Sequence, residues 1–212
     1  MKKIFLVFSL TVLASTGRAN TVALDFTGGN LLGVNNGTAG WTFSLSSAVL
    51  VTDLGLWDQA SKNFTVAHQV TIWENTSMTA VATALVDNSG TFVASSVDGF
   101  RYVSVTPTLL GPGNYTIGAY YENINDRIIS GAATITTASQ VTYNGSRLAS
   151  GFNFPPGDDG NLPNSYFGPN FQFTTDLNGN GVPEGGSTLF FMLASLAVLV
   201  VARRLCQAPA KL

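Results

Sequence analysis

The residues able to do chemistry in this 212-residue chain are few: one histidine, His68, three tryptophans, and two short acidic stretches. A nucleophilic triad needs a hydroxyl, an imidazole and a carboxylate in one line of hydrogen bonds, and no such set can be assembled around a lone histidine in an alternating run. His68 is therefore expected to be a structural strand residue. The run Asp176-Leu177-Asn178-Gly179-Asn180-Gly181 matches the first half of a calcium loop. Position twelve of such a loop requires a bidentate glutamate, and Ser187 stands there, so the run is expected to be a linker. Asp158-Asp159 reads as a solvated turn. Trp41, Trp57 and Trp73 would stack on sugar rings if exposed, but all three lie in alternating patterns that favour core packing. No catalytic residue, metal site or cofactor is expected, and the chain reads as a non-enzyme.

Charge narrows the partners. Between residues 20 and 176 only Lys62, Arg101, Arg127 and Arg147 are basic, against eleven carboxylates, a net charge near −7. A surface of that sign has nothing to neutralise phosphates, which argues against nucleic acid as a partner. The single cysteine, Cys206, lies near the C-terminus, so the middle of the chain must be held by its core without disulfides.

The elements that would position these residues are strands. Trp41, Phe43 and Leu45 alternate with Thr42 and Ser44, and Tyr115, Ile117 and Ala119 alternate likewise in 114–121. Period two marks a half-buried strand. The pattern predicts strands near 21–26, 40–45, 48–57, 66–74, 79–86, 100–106, 114–121, 132–136, 140–143 and 168–174. Asp87-Asn88-Ser89-Gly90 and Gly111-Pro112-Gly113-Asn114 read as hairpin turns. Residues 145–169, rich in Gly, Pro, Asn and Asp, read as a long surface excursion pinned by Phe152, Phe154, Tyr166 and Phe167. The expected class is all-β, an antiparallel sandwich or jelly roll over residues 20–175.

Both ends read as targeting segments. Lys2-Lys3 precedes an apolar run from Ile4 to Ala14, and Gly17 and Ala19 supply small residues at the −3 and −1 positions. This predicts a signal peptide over residues 1–19, cut between Ala19 and Asn20. At the other end, a Gly/Asn linker at 176–181 leads into Val182-Pro183-Glu184, an apolar run from Leu189 to Ala202, and Arg203-Arg204. Fourteen residues make about 21 Å of helix, short of a ~30 Å hydrocarbon core, and flanking Ser187, Thr188 and a snorkelling Arg203 bring it near spanning length. A transmembrane helix is predicted over 188–202. The arginines that follow act as a basic stop and place the tail inside and the middle of the chain outside. Pro183 keeps Val182 extended, and Gly185-Gly186 interrupt helix just above the bilayer, leaving backbone open to a processing enzyme.

The tail, residues 182–212, resembles the PEP-CTERM sorting signal. That resemblance implies cutting near Val182, Pro183 and Glu184 by an exosortase-type membrane enzyme, with Gly185 departing from the second proline of the usual motif. The segments from Val51 to Asp58, His68 to Trp73, Phe100 to Val105, Gly113 to Ala119 and Tyr166 to Phe173 resemble a DUF4082-like β-sandwich domain of bacterial surface proteins, a family with no assigned chemistry. Together these readings predict a non-enzymatic exported protein. It would pass the Sec translocon and signal peptidase, lie tethered in the inner membrane as a precursor, and reach the cell surface or extracellular matrix. The alternative is a carbohydrate-binding module acting on extracellular polysaccharide, which would require an exposed tryptophan or tyrosine on one sheet face.

Overall fold

Fourteen strands follow one another in the computed structural model, which describes residues 20–59, 62–132, 134–157 and 164–177. They are β1 (Thr21–Val22), β2 (Leu24–Thr27), β3 (Asn30–Gly33), β4 (Gly37–Leu45), β5 (Val49–Trp57), β6 (His68–Glu74) and β7 (Ala80–Val86), then β8 (Thr91–Ala94), β9 (Gly99–Leu110), β10 (Gly113–Tyr121), β11 (Arg127–Ser130), β12 (Thr134–Thr137), β13 (Val141–Ser150) and β14 (Pro169–Thr174). One five-stranded sheet has the order β1-β14-β5-β9-β8 and a second the order β13-β4-β10-β6-β7. Two further two-stranded sheets pair β11 with β3 and β12 with β2, and the pairings of named strands are antiparallel. The fold is all-β and sandwich-like.

Alternation decides which face each strand buries. On β4, Ala39, Trp41 and Phe43 are fully buried, and on β10 Tyr115, Ile117 and Ala119 stand directly opposite Phe43, Trp41 and Ala39. Directly opposed side chains on one face are the unit of sheet stabilisation. The second sheet meets the first through these rings. Phe171 of β14 lies 6.1 Å from Trp41 at an interplanar angle of 20° and 5.0 Å from Phe43. The Trp41 indole Nε1–H donates to the Pro169 carbonyl at 2.8 Å, so this buried donor is satisfied across the sandwich.

Several expectations need correction. Both turns read as hairpins instead carry the chain between sheets: Asp87–Gly90 joins β7 of one sheet to β8 of the other, and Gly111–Asn114 joins β9 to β10. Turn residues fix a reversal of direction, while the partner of the next strand is set by which apolar face needs cover. Local hairpins join β6 to β7 and β8 to β9, and in the first the Thr76 and Ser77 backbone N–H groups donate to the Glu74 carboxylate. Those bonds lower the Glu74 pKa to about 2. The excursion expected over 145–169 begins later, because β13 runs through Ser150. A bulge between Tyr143 and Gly145 restores its pairing with β4, and Gly145 takes a φ of 136° there. The four-residue strands β3, β8 and β11 were not predicted; Asn30-Leu31-Leu32-Gly33, Thr91-Phe92-Val93-Ala94 and Arg127-Ile128-Ile129-Ser130 each place two apolar residues side by side, which breaks the alternation.

Candidate functional site

His68 opens β6 with its side chain 1% exposed. Its two ring nitrogens face two acceptors: Nδ1 lies 2.9 Å from the Tyr120 carbonyl and Nε2 lies 2.8 Å from an Asp126 carboxylate oxygen. Both ring nitrogens are thereby engaged by acceptors of the protein itself. The ring packs edge-on to Phe64 at 5.6 Å and against Tyr121 at 4.8 Å. No ring nitrogen is left to take a proton from a substrate.

Asp126 comes from the loop between β10 and β11, and it holds more than the histidine. The Thr65 backbone N–H, the Thr65 hydroxyl and the Val66 N–H all donate to the same carboxylate. Burial pushes the Asp126 pKa up, but the Thr65 backbone bond, the His68 bond and the Thr65 hydroxyl outweigh it, and the carboxyl titrates below its ordinary range. Beside it, the Tyr121 hydroxyl is buried without a hydrogen-bond partner, and burial together with the Asp126 charge pushes that phenol well above 10.

A second clasp lies on the same β5–β6 loop. The Arg101 Nε–H donates to Asp58 at 2.7 Å, and its Nη2 donates to the Asn63 side chain at 2.9 Å. Asp58 also accepts from the Asn63 backbone N–H, and the Asn88 amide is bonded to both the N–H and the C=O of Phe64. A cleft of about 220 Å³ opens between the two clasps, with Asp58 and Asp126 in its lining. Both carboxylates are already engaged by protein donors, so the chemistry on offer is the fixing of a loop. Among the described residues no three His, Cys, Asp or Glu side chains gather to hold a metal.

The residues singled out from the sequence fall in two groups. Asn20 is described: its amide donates to Asp53 at 2.9 Å and lies 3.4 Å from the Gln172 side-chain oxygen, which ties the first described residue to β5 and β14. Ala19, Val182, Pro183, Glu184, Arg203 and Arg204 lie outside the described residues, as do the predicted signal peptide, the transmembrane helix, Asp158-Asp159 and most of the half calcium loop. The tryptophans are 0%, 1% and 5% exposed for Trp41, Trp57 and Trp73, so none presents a free indole face. Trp57 donates to the Val97 carbonyl at 2.9 Å, whereas Trp73 is covered by Phe152 and Phe154. Asp126 went unread in the sequence because it lies 58 residues from His68 and only the fold brings them together.

Fold and loop clasps define an antiparallel β-sandwich whose polar side chains mainly serve its own loops. No protein-family model matches the chain, and no curated protein matches it.

Proposed function

We propose that this chain is a non-enzymatic exported protein of the cell surface or extracellular matrix. In this reading a DUF4082-like, jelly-roll-type sandwich is delivered through a PEP-CTERM-like tail. The observation that carries it is the order of features in the sequence: a basic and apolar start ending at Ala19, a β unit, then Val182-Pro183-Glu184, an apolar run and Arg203-Arg204. Among the described residues, the β unit closes a hydrophobic core that runs from Ala23 to Phe173. Signal peptidase removes residues 1–19 after Sec export, the apolar run halts transfer, and the arginines stay on the cytoplasmic side. An exosortase-type enzyme then acts at the extended backbone around Pro183.

Replacing Val182, Pro183 and Glu184 together by alanine tests the sorting step. Fractionation is expected to show the variant held in the inner membrane at precursor mass, while the parent chain appears at the surface with its tail shortened. Equal surface delivery at equal mass for both chains contradicts the reading.

A further inference from the structure

The outer face of the second sheet carries a feature that the loop clasps and the sorting reading leave unused. Trp73 of β6 packs beside Gly118 of β10, where a β-carbon would stand 3.2 Å from the indole Cζ3 and 2.8 Å from Thr38 Cγ2. Phe152, 6.2 Å from Trp73 and 6.1 Å from Tyr120, covers part of this surface and is itself 49% exposed. An aromatic ring half open to water on top of two others costs hydration free energy that a plain surface turn would avoid.

The turn bearing Phe152 is tightly held. Gly151 has a φ of 67°, its N–H donates to the Asn36 carbonyl at 2.8 Å, and its own carbonyl accepts from the Thr38 hydroxyl at 2.7 Å. Thr38 also accepts from the Asn153 N–H at 3.2 Å. The ring is thus presented by a fixed backbone, which lowers the entropy lost on binding.

Beside this shelf lies an open cleft of about 470 Å³, inside the size range of small-molecule and cofactor sites. Asn35, Asn36 and Ser150 give it polar groups, and Leu32, Leu148 and Tyr166 give it apolar walls. Asn36 joins cleft to shelf, because its side-chain oxygen accepts the Tyr120 hydroxyl at 2.8 Å. Among the described residues, no carboxylate, lysine or arginine lines the cleft. One half-open phenyl ring beside a partly buried tyrosine, neutral amides and a hydroxyl matches a ligand with apolar C–H faces rimmed by hydroxyls, which is a pyranose ring. A net charge near −7 over residues 20–176 disfavours an anionic polymer.

We propose that the Phe152–Tyr120 shelf and the Asn35–Asn36–Ser150 cleft form a binding site for a neutral polysaccharide, with one sugar ring stacked on Phe152. This stands apart from the sorting reading, since a chain whose tail is never cut would still bind.

Affinity gel electrophoresis of the full chain in mild detergent tests it, with xylan, laminarin, hydroxyethylcellulose or soluble starch in the gel and alginate as the anionic comparison. The parent chain is expected to be retarded by at least one neutral polymer. Phe152→Ala weakens that retardation by about tenfold, the effect of losing an aromatic anchor, in a chain whose circular dichroism spectrum and cooperative melting show it still folded at the assay temperature. Phe152→Trp keeps the binding, and Asn36→Gly, which tolerates the φ of 47° at that position, reduces it. The proposal is overturned if no neutral polymer retards the parent chain, if only alginate does, or if Phe152→Ala and Asn36→Gly both bind like the parent.

Discussion

Asp126→Ala lowers the unfolding free energy by about 3–5 kcal/mol, the usual result of removing one member of a buried ion pair. His68 is 1% exposed, so the ring nitrogen that Asp126 serves is left buried without its partner. The same substitution frees Thr65 and Val66, so the β5–β6 loop loses its hold on the β10–β11 loop. Urea unfolding followed by tryptophan fluorescence measures the loss, and a change below about 1 kcal/mol would show that the pair holds nothing.

The same carboxylate also sets a pH dependence whose sign is fixed. Its folded pKa lies below the ordinary 3.8, so the unfolded chain binds the proton first as pH falls. The stabilisation is complete above the unfolded value and disappears as pH drops through the folded one. Asp126→Ala is expected to flatten the acid limb of the stability curve below about pH 4, relative to the parent chain.

Trp41→Ala costs about 3–5 kcal/mol through the cavity alone, a large part of the stability of an ordinary domain. The indole is fully buried between Phe43 and Phe171, at the place where β4 of one sheet meets β14 of the other. Its loss also strands the Pro169 carbonyl that the Nε1–H serves. Trp41→Phe separates the two contributions. It keeps most of the apolar contact and gives up the hydrogen bond, with an expected loss of about 1–3 kcal/mol. Equal losses for the two variants would mean that the ring volume is not what joins the sheets.

Strand identity was legible wherever alternation ran for about five residues or more. Trp41-Thr42-Phe43-Ser44-Leu45 and the Tyr115-to-Ala119 run announced β4 and β10, together with their buried faces, and Val70 and Ile72 announced β6. Pairing was not legible, because turn chemistry at Gly111–Asn114 says only that the chain turns. The edge strand β13 was cut short in the reading, since Asn144-Gly145 resembles a loop start when it is in fact a bulge. The tryptophans read correctly as buried, yet Trp73 is buried for a reason absent from its own strand. Its cover, Phe152 and Phe154, lies some 80 residues on, in a segment that sequence alone describes as loop. The aromatic shelf was hidden for the same reason: Tyr120, Asn36 and Phe152 share no local pattern and meet only through the pairing of β4 with β10 and β13.

The proposal of export and sorting is tested most directly by the two ends of the mature protein, read by N-terminal sequencing and intact mass on material recovered from the cell surface. A chain that begins at Asn20 and ends near Val182-Pro183-Glu184, without Arg203-Arg204, is the predicted result. A chain recovered only inside the cell, beginning at Met1 or its neighbour and still ending at Leu212, would contradict it.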